Sequence, residues 1–517
     1  MNFAWSDPIL TCAGSKVIEI RLFGGNEEQE WAAMQRAGAA VGRAVLQDLR
    51  EIGGFPAAGR ILVLAGKGHN GGDALLAAAA ILQEYPAASA DVIFAFGERT
   101  LRPLAARAWR ELEQAASQRV RPLAGARSYG GGQVAASVSE WSLAYDICLD
   151  GVFGFQFHPP MDAAVAQLLT EVNAHPAIRF RAAVDLPSGV GAVSAPTVFR
   201  ADFTYATGIV KSPVIDPANA AAVGRLRYLD LGFFDAGTGL GEPGPGSPTP
   251  ATDRILLPSI LAPLAQLRPS QSDKRTYGHL FVIGGSPSYP GAVVLAVRAA
   301  LRSGVGLVTA FVPEPLVPEY AAVHPEVMWV GRPASSAGAL ALVRERLTRA
   351  TAFLIGPGLG AETDTLTLVP RLVNEVAVPV VLDADALRPE VIAAVGDKPF
   401  IATPHAGEYQ RIAPALAGAP QGVMVQKGPL TRVTAGTMTY FSPFGGPVLA
   451  RGGSGDMLAG LVGGLLAQAP GDPLLAACRG VVWHGRAADL LARTHGQVSV
   501  ETSQLLEQLG PALASTP

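Results

Sequence analysis

The sequence contains few of the residues that mark secreted, disulfide-stabilised or nucleic-acid-binding proteins. Only three of its 517 residues are cysteine, and Cys12, Cys148 and Cys478 lie far apart, without metal-ligand spacing. We therefore expect free thiols in a reducing compartment. Charged residues make up only 16% of the chain and the net charge is −3. Because nucleic-acid-binding proteins usually present a basic surface, we expect no nucleic-acid partner.

Long apolar runs are also absent. No segment reaches the roughly 18 apolar residues that a membrane helix needs, and the Ala-rich stretch at 74–83 is too short for one. The N-terminus, MNFAWSDPILTCAGSKVIEI, lacks the basic region and apolar core of a signal peptide. We expect a cytoplasmic protein with no membrane partner. The hydrophobic content of 49% suffices for large buried cores.

The length of the chain predicts more than one domain. Segment 236–252, AGTGLGEPGPGSPTPAT, is rich in glycine and proline and predicts a linker between domains at 1–235 and 253–517. On both sides, short apolar runs such as 61–65 and 280–284 alternate with longer helical patterns. Continuous apolar strands are typical of parallel sheets covered on both faces. The fold class is therefore predicted as α/β, with two doubly wound domains.

Ligands of such sheets bind beyond the carboxyl ends of the strands. After the strand at 61–65 comes GKGHNGGD, a glycine-rich turn before a helix, which presents amides to an anion. We expect Gly71 and Gly72 to let the backbone approach a ligand, whereas Asp73 either joins the site or caps the helix. Two further apolar strands end in Asp150 and Asp185. Since a buried carboxylate is costly without a partner, these strand ends predict a functional site.

Side chains with oxygen atoms recur at these strand ends. Asn70, Asp150 and Ser188 carry them, and no histidine or cysteine accompanies these three residues as a metal ligand. Oxygen ligands of this kind suit a hard cation.

The order GHNGGD, DGVFGF and VDLPSG over about residues 15–235 resembles the Rossmann-like NAD(P)H-hydrate epimerase domain. The resemblance implies that Asp185 transfers a proton and that Asn70, Asp150 and Ser188 hold K⁺. It also implies that Asp185 and two loops contact the hydrate, through His69, Asn70, Gly71, Gly72, Asp73, Gly154, Phe155, Gln156, Phe157 and His158. His69 stands where the family often has asparagine, which leaves open that only the other half of the chain is active.

The second half contains GGSGD at 452–456, followed by an amphipathic helix. Consecutive small residues at a helix start expose several amides to a phosphate. Asp456 beside them is predicted to be the base for a hydroxyl that attacks a nucleotide phosphate. The alternative is that Asp456 only caps the helix.

This loop is typical of the ribokinase-like superfamily. Together with GPGLG (356–360), DADAL (383–387) and TPHAGE (403–408), it resembles the ADP-dependent NAD(P)H-hydrate dehydratase domain over about 253–510. The resemblance implies that Asp456 deprotonates the C6 hydroxyl of the hydrate, in a pocket lined by Ala292, Gly358 and His405. It further implies that ADP is bound by Lys427, Gly428, Pro429, Leu430, Thr431, Gly446, Arg451, Gly452, Gly453, Ser454 and Gly455.

Some residues near this loop have roles that the motifs do not fix. Asp383 and Asp385 are expected to act through water or Mg²⁺. For Asp385, the alternative is that it forms a structural turn. Thr403 and Glu408 are expected to support the pocket. Arg451 replaces the threonine that is usual in the family. It is expected either to contact a phosphate or to point to solvent, so the preference for ADP over ATP stays open.

The two domains together resemble the bifunctional NAD(P)H-hydrate repair enzymes. That family implies epimerisation of hydrated NADH and NADPH (NADHX and NADPHX), then dehydration of the S hydrate with ADP, giving AMP and phosphate. It also implies ADP, Mg²⁺ and K⁺ as cofactors, and we expect a homo-oligomer. The alternative is a ribokinase-like small-alcohol kinase, whose N-terminal domain is a non-catalytic scaffold of the kind used in dimerisation and RNA decay. Release of AMP and phosphate distinguishes the two.

Overall fold

The computed structural model describes residues 5–123, 144–235, 252–416 and 422–514. The chain forms two compact units, made mainly of Asp7–Ile255 and of Leu256–Ala492. The predicted linker lies outside the described residues apart from Thr252, and the predicted domain boundaries stay a prediction. The three cysteines are free, with Cys148 and Cys478 buried and Cys12 half-buried. None of the helices in the described ranges is long and apolar enough to span a membrane.

The N-terminal unit alternates strands and helices. Its strands are β1 (Ser6–Leu10), β2 (Arg60–Ala65), β3 (Ser89–Phe94), β4 (Val120–Leu123), β5 (Ile147–Gly151), β6 (Arg181–Val184), β7 (Phe203–Thr207), β8 (Val210–Lys211) and β9 (Arg225–Leu229). Its helices are α1 (Cys12–Phe23), α2 (Glu27–Leu49), α3 (His69–Glu84), α4 (Pro103–Ala116), α5 (Ala163–Ala174) and α6 (Ala220–Val223).

Seven of these strands form a parallel sheet in the order β4-β3-β2-β5-β6-β7-β9. Ile61 and Val63 of β2 join the core on the face covered by α2 and α3. Leu62 and Leu64 point to the opposite face, where α5 packs. This alternation confirms a doubly wound sheet. The strand order reverses between β2 and β5, which is where ligands bind in such folds.

The C-terminal unit has the same kind of architecture. Strand β10 (Asp253–Leu256) spans the boundary between the two units in the sequence. The strands of the C-terminal unit are β11 (His279–Ile283), β12 (Leu307–Pro313), β13 (Met328–Arg332), β14 (Ala352–Ile355), β15 (Val380–Leu382), β16 (Phe400–Ala402), β17 (Gly422–Gln426), β18 (Arg432–Ala435) and β19 (Met438–Phe441). Its helices are α7 (Pro290–Arg302), α8 (Val317–Val323), α9 (Ser336–Arg344), α10 (Thr363–Glu375), α11 (Pro389–Val395), α12 (Ala406–Leu416), α13 (Ser454–Gln468), α14 (Pro473–His495) and α15 (Leu505–Ala514).

Its sheet runs β13-β12-β11-β14-β15-β16-β17 with all neighbours parallel, and then continues through antiparallel β18 and β19. Leu280 and Val282 of β11 face the core that contains α7 and α13. Phe281 and Ile283 face the core of α9, α10 and α11. The predicted fold class is therefore confirmed for both units, and the strand order here reverses between β11 and β14.

Helices α7 and α13 pack backbone against backbone. A Cβ atom at Gly460 of α13 would lie 1.9 Å from the carbonyl oxygen of Ala296 on α7. At Gly464 it would lie 2.1 Å from Oγ of Ser303, the residue that ends α7. The contact of Gly460 with Ala296 is followed by that of Gly464 with Ser303, so the residue numbers of both helices increase in the same direction along the interface. The two helices are therefore parallel. Their N-termini therefore lie at the same end.

Candidate active sites

A cavity of about 750 Å³ opens in the N-terminal unit, where the strand order of its sheet reverses. Residues of α1, α2, the start of α3, segment 152–158, Asp185 and Lys211 line it. Most of the epimerase residues inferred from the sequence line this one cavity: His69, Asn70, Asp73, Gly154, Phe155, Gln156, Phe157, His158 and Asp185.

Gly71 and Gly72 have a packing role in α3. A Cβ atom at Gly71 would lie 2.1 Å from the carbonyl oxygen of Gly66, and one at Gly72 would lie 2.3 Å from the Met34 methyl group. Both glycines are buried. The close approach that these glycines permit is therefore to the protein's own atoms, and it seats α3 against β2 and α2.

Asp185 follows β6 in the left-handed backbone conformation, with φ of 65°. Its N–H donates to the carbonyl of Tyr205 at 2.9 Å. Lys211 Nζ donates to its Oδ1 at 2.5 Å, and both side chains are buried. Sequence reasoning missed Lys211. The signal was a single lysine in the otherwise apolar segment GIVKSPVI, because a buried lysine needs a carboxylate partner.

Asp73 is not a helix cap, because α3 begins at His69 and its N-cap is Gly68. The side chain of Asp73 is 9% exposed, and its Oδ1 has no hydrogen-bond partner in the described part of the chain. Burial, above all, raises the pKa of Asp73 well above its usual range, and the charges of Asp185 and Glu19 add to this effect. Within the described residues, burial without a hydrogen-bond partner on Oδ1 therefore favours the protonated form of the Asp73 carboxyl group.

Asp150, Ser188 and Asn70 lie together at the predicted cation site. Asp150 is fully buried and accepts hydrogen bonds from the Ser188 N–H at 2.7 Å and the Ser188 hydroxyl at 2.6 Å. Ser188 Oγ accepts the N–H of Phe153 at 2.9 Å, and Asn70 Nδ2 donates to the Phe153 carbonyl at 2.8 Å. Burial raises the pKa of Asp150 to about 6.

The electrostatics of this cluster suit a bound cation. Within the described residues, the hydrogen bonds to Asp150 come from neutral groups and no lysine, arginine or histidine forms an ion pair with it. A buried carboxylate without a counter-charge is costly, and a hard cation held by neighbouring oxygens would supply that charge.

His69 lies at the rim of the cavity. Its side chain is 55% exposed, and its Nε2 is 3.8 Å from Oε2 of Glu30. Burial lowers the pKa of His69, which favours the neutral imidazole. The neighbouring Asn70 still makes its bond to Phe153, so the departure at His69 leaves the cluster around Asp150 intact.

In the C-terminal unit, Asp456 lies in the first turn of α13, whose N-cap is Gly453. The capping alternative therefore does not hold for Asp456. The first N–H groups of a helix have no carbonyl partner within it, so the first turn of α13 can bind an anion. The carboxyl of Asp456 stands beside these amides.

Four charged residues act on Asp456: Asp383, Lys427, Asp385 and Glu408. Lys427 Nζ donates to Asp383 Oδ1 at 3.0 Å and lies 3.9 Å from Glu408 Oε2. Thr403 donates to the same Asp383 oxygen at 2.6 Å. Burial, followed by the charge of Asp383, raises the pKa of Asp456 to about 7, although Lys427 opposes the shift. A carboxyl with this pKa can work as a base near neutral pH.

Two of the residues predicted to line the hydrate pocket lie next to each other, Ala292 in the first turn of α7 and Gly358 in the GPGLG motif. A Cβ atom at Gly358 would lie 2.9 Å from Cβ of Ala292 and 2.4 Å from the carbonyl of Tyr289, so this motif contacts the start of α7. The side chain of His405 is 63% exposed. The backbone N–H of His405 donates to Glu408 Oε2 at 2.8 Å, a bond that agrees with the supporting role expected of Glu408.

Asp385 links the GPGLG and DADAL motifs. Its Oδ2 accepts the N–H of Gly360 at 2.9 Å. This bond favours the structural-turn interpretation of Asp385 over a role in binding Mg²⁺.

The two predicted nucleotide segments meet at Lys427, since a Cβ atom at Gly455 would lie 3.2 Å from its Nζ. Burial lowers the pKa of Lys427, but the charges of Asp383 and Glu408 outweigh it, so the net shift is upward. The hydroxyl of Ser454 donates to the Leu449 carbonyl at 2.6 Å and fixes the start of α13. Lys427 is therefore a permanent positive charge beside the helix N-terminus.

Arg451 requires a correction to both interpretations of it. Its Nη2 donates to the carbonyls of Gln497 at 2.9 Å and Val498 at 2.7 Å. Nη2 of the guanidinium is thus bonded to the protein rather than to solvent, and these bonds disfavour a bidentate contact with a phosphate. It joins the segment before GGSGD to the loop after α14.

Replacing Arg451 by methionine should change the Kd for ADP by less than about threefold, because the guanidinium is already bonded to carbonyls. A charged hydrogen bond to a phosphate contributes about 1.5–3 kcal/mol, so losing one would weaken binding by about tenfold or more. Isothermal titration calorimetry with ADP distinguishes the two cases. A loss of tenfold or more would return Arg451 to the phosphate site.

Comparison with known proteins covers both units. Residues 31–212 match the family model "YjeF-related protein N-terminus", and residues 280–511 match the model "NAD(P)H-hydrate dehydratase". A bifunctional NAD(P)H-hydrate repair enzyme of Gloeobacter violaceus is 34% identical over 96% of both chains. One of Moorella thermoacetica is 32% identical, over 87% of this chain and 86% of its own.

Among solved structures, an ADP/ATP-dependent NAD(P)H-hydrate dehydratase of Bacillus subtilis is 28% identical, covering 48% of this chain and 94% of its own, with a TM-score of 0.42. On the evidence of the nearly full-length relatives and the two family models, the chain belongs to the family of bifunctional NAD(P)H-hydrate repair enzymes.

Proposed function

We propose that this chain repairs hydrated NADH and NADPH in two steps. The N-terminal unit interconverts the R and S hydrates, and the C-terminal unit dehydrates the S hydrate with ADP, releasing AMP and phosphate. The observation that carries this proposal is the position of Asp456, a carboxyl group with its pKa raised to about 7, in the first turn of α13 beside the free N–H groups of the helix start. Family membership supplies the identity of the hydroxyl on which it acts.

The dehydration follows from the chemistry of the C6 hydroxyl, which is a poor leaving group. Asp456 removes its proton, and the oxygen attacks the terminal phosphate of ADP, held by the first-turn amides of α13 and by Lys427. AMP leaves. The lone pair of the ring nitrogen then expels the phosphate from C6, and loss of the C5 proton restores the double bond. Holding the two reactants in line is the main task of the site.

Mg²⁺ is proposed to enter with the nucleotide. Asp383 is already paired with Lys427, and Asp385 is bonded to Gly360. In the described residues, no group of three His, Cys, Asp or Glu side chains is placed to hold a metal. When bound, the ion would neutralise charge on the phosphates.

K⁺ is proposed to bind among Asn70, Asp150 and Ser188. The ion would compensate the Asp150 charge and hold segment 152–158 in place, since Phe153 is bonded to both Asn70 and Ser188. The residues on this segment would then present the lining of the cavity to the hydrate. The homo-oligomeric state and the cytoplasmic location also stay predictions.

The kinase alternative with a non-catalytic N-terminal scaffold receives no support from the relatives, which are bifunctional repair enzymes. The N-terminal unit also retains Asp150 and Asp185 at the ends of β5 and β6. These carboxyl groups would have no task in a scaffold.

The function is tested by giving the purified chain a mixture of both NADH-hydrate epimers with ADP and following the nicotinamide absorbance. Full recovery, with one AMP and one phosphate formed per NADH, is expected. A halt when the S hydrate is consumed would reject the epimerase, apart from the spontaneous rate. No recovery, or a stable phosphorylated product, would reject the dehydratase and favour a kinase.

Potassium should raise the thermal midpoint of the N-terminal unit more than tetramethylammonium at equal ionic strength, because an ion that binds only the folded state stabilises it. Asp150→Asn removes the charge and should abolish this difference. Differential scanning calorimetry measures both. An equal response of wild type to the two cations would reject the K⁺ site.

A further inference from the structure

The cavity of the N-terminal unit contains two carboxyl groups in opposite environments. Asp185 is bonded to the ammonium group of Lys211 at 2.5 Å, with Lys211 only 2% exposed. Asp73 is buried too, but no cation is bonded to it in the described residues, and its Oδ1 lacks any hydrogen-bond partner there. Such a pair of carboxyl groups, one with a counter-charge and one without, is a recognised basis for assigning acid and base.

We propose that epimerisation uses Asp185 as an ionised base and Asp73 as a protonated acid, and that Lys211 sets this division between them. The proposal rests on the epimerase function proposed above. Asp185 and Asp73 would be catalytic residues that touch the hydrate, whereas Lys211 would be a positioning residue that acts through Asp185.

The charges in the cavity support one proton on the pair. The groups that act on Asp185 and Asp73 are Lys211 on β8, with Glu19 and Cys12 on α1. Burial raises the pKa of Glu19 to about 7 and also raises the pKa of Cys12. Lys211 exerts the largest charge effect on Asp185 and opposes the upward shift that burial gives its pKa. On Asp73, the charges of Asp185 and Glu19 act more strongly than that of Lys211. One buried ammonium compensates one carboxylate, and the second carboxyl stays neutral because ionising it would leave a charge without a partner.

With Asp185 as base and Asp73 as acid, the epimerisation step balances in atoms and charge. Asp185 takes the proton of the C6 hydroxyl, the oxygen forms a C=O bond, and the N1–C6 bond breaks with its electron pair going to N1. Asp73 gives its proton to N1. The resulting aldehyde rotates and N1 attacks its other face. Asp73 then takes its proton back from N1, and Asp185 returns its proton to the C6 oxygen. No water, oxidant or reductant is consumed.

Ring opening also keeps the charge of the cavity constant. One carboxylate is ionised before the step and the other after it, and Lys211 compensates either. Loss of hydroxide from C6 would instead create a cationic ring in a cavity that already contains the Lys211 ammonium. The position of Lys211 thus favours ring opening over loss of water.

The test uses the full chain with pure R hydrate, ADP and the nicotinamide absorbance, so that epimerisation precedes dehydration. Asp73→Asn should lower kcat by about 10²-fold or more, the usual contribution of a general acid, while KM changes less than about threefold. Lys211→Met should also lower kcat, and activity should return as pH rises, because an unpaired Asp185 ionises only at higher pH. Lys211→Arg should restore activity at neutral pH.

Dehydration of pure S hydrate by each variant is the internal control for folding and for the second active site. If wild type does not exceed the spontaneous rate, the proposed epimerase function fails. If wild type is active but Asp73→Asn retains kcat and only raises KM, Asp73 is a binding residue and the acid assignment is overturned. If Lys211→Met shows an unchanged kcat and pH profile, the role of Lys211 is overturned.

Discussion

Replacing Asp456 by asparagine should abolish the ADP-dependent dehydration of the S hydrate, lowering kcat by about 10³-fold or more. Asparagine has the shape of aspartate but cannot accept the hydroxyl proton, and general bases typically contribute 10²- to 10⁴-fold. The first-turn amides of α13 and Lys427 remain, so the Kd for ADP should change little. Absorbance recovery from pure S hydrate and calorimetry with ADP measure the two quantities. Retained turnover would remove Asp456 from the role of base.

The fold should survive this substitution. Burial raises the pKa of Asp456 to about 7 from its usual 3.8, so the folded state disfavours the carboxylate. The destabilisation by the carboxylate is therefore absent below pH 3.8 and complete above about pH 7. Asparagine avoids it, and the thermal midpoint of Asp456→Asn at pH 8 should not fall below that of wild type. A clear fall would make lost activity uninformative about the base.

The same pKa gives wild-type dehydration a rising pH profile. Below about pH 7 Asp456 is mostly protonated and cannot take the hydroxyl proton, so kcat should increase with pH through this value and then level off. Lys427 opposes the upward shift, and Lys427→Met should therefore move the midpoint to higher pH. A flat wild-type profile between pH 5 and 8 would contradict the assignment.

Replacing Asp185 by asparagine should reduce epimerisation of the R hydrate to the spontaneous rate, while dehydration of the S hydrate continues. Asp185 is the carboxyl group that we propose to be ionised, and it is paired with Lys211 at 2.5 Å. Asparagine also leaves the Lys211 ammonium without its counter-charge, so both proton acceptance and charge balance are lost. Recovery from pure R hydrate, compared with a sample without protein, measures the effect. Recovery at the wild-type rate would exclude Asp185 as the base.

Asparagine is also compatible with the backbone conformation at position 185. Asp185 has a φ of 65°, and aspartate and asparagine enter this region more readily than most residues other than glycine. Asp185→Ala should therefore lose more thermal stability than Asp185→Asn, although both lose the base. If only the alanine variant lost epimerisation, the cause would be backbone strain rather than chemistry.

The fold was largely predictable where strands are continuous and apolar. The runs at 61–65 and 280–284 match β2 and β11 closely, because both strands are buried on both faces. Strand β13, with the sequence MWVGR, was not predicted, because this strand is partly exposed and its apolar pattern is broken. The hairpin of β18 and β19 is likewise half-buried, so neither strand gives a continuous apolar run.

The candidate sites were predictable where the chemistry sits in short motifs. Asp150 lies at the end of β5, Asp185 directly follows β6, and Asp456 follows the glycine loop. Lys211 was missed because it lies 26 residues from Asp185 in the sequence, on another strand, and only folding brings them together. Arg451 was misjudged for a related reason, since its partners lie 46 and 47 residues further along the chain.

The contact between α7 and α13 determines how precisely the N-terminal ends of these two helices are positioned relative to each other. Ala292 lies at the N-terminal end of α7 and Asp456 at the N-terminal end of α13, and the helices touch through backbone atoms at Gly460. Backbone atoms have no rotamers, so thermal side-chain exchange cannot change the spacing of the two helices at this point. The proposed hydrate pocket and the proposed base are thus held at a fixed spacing before substrate arrives, and little conformational entropy of these helices remains to be lost when it binds.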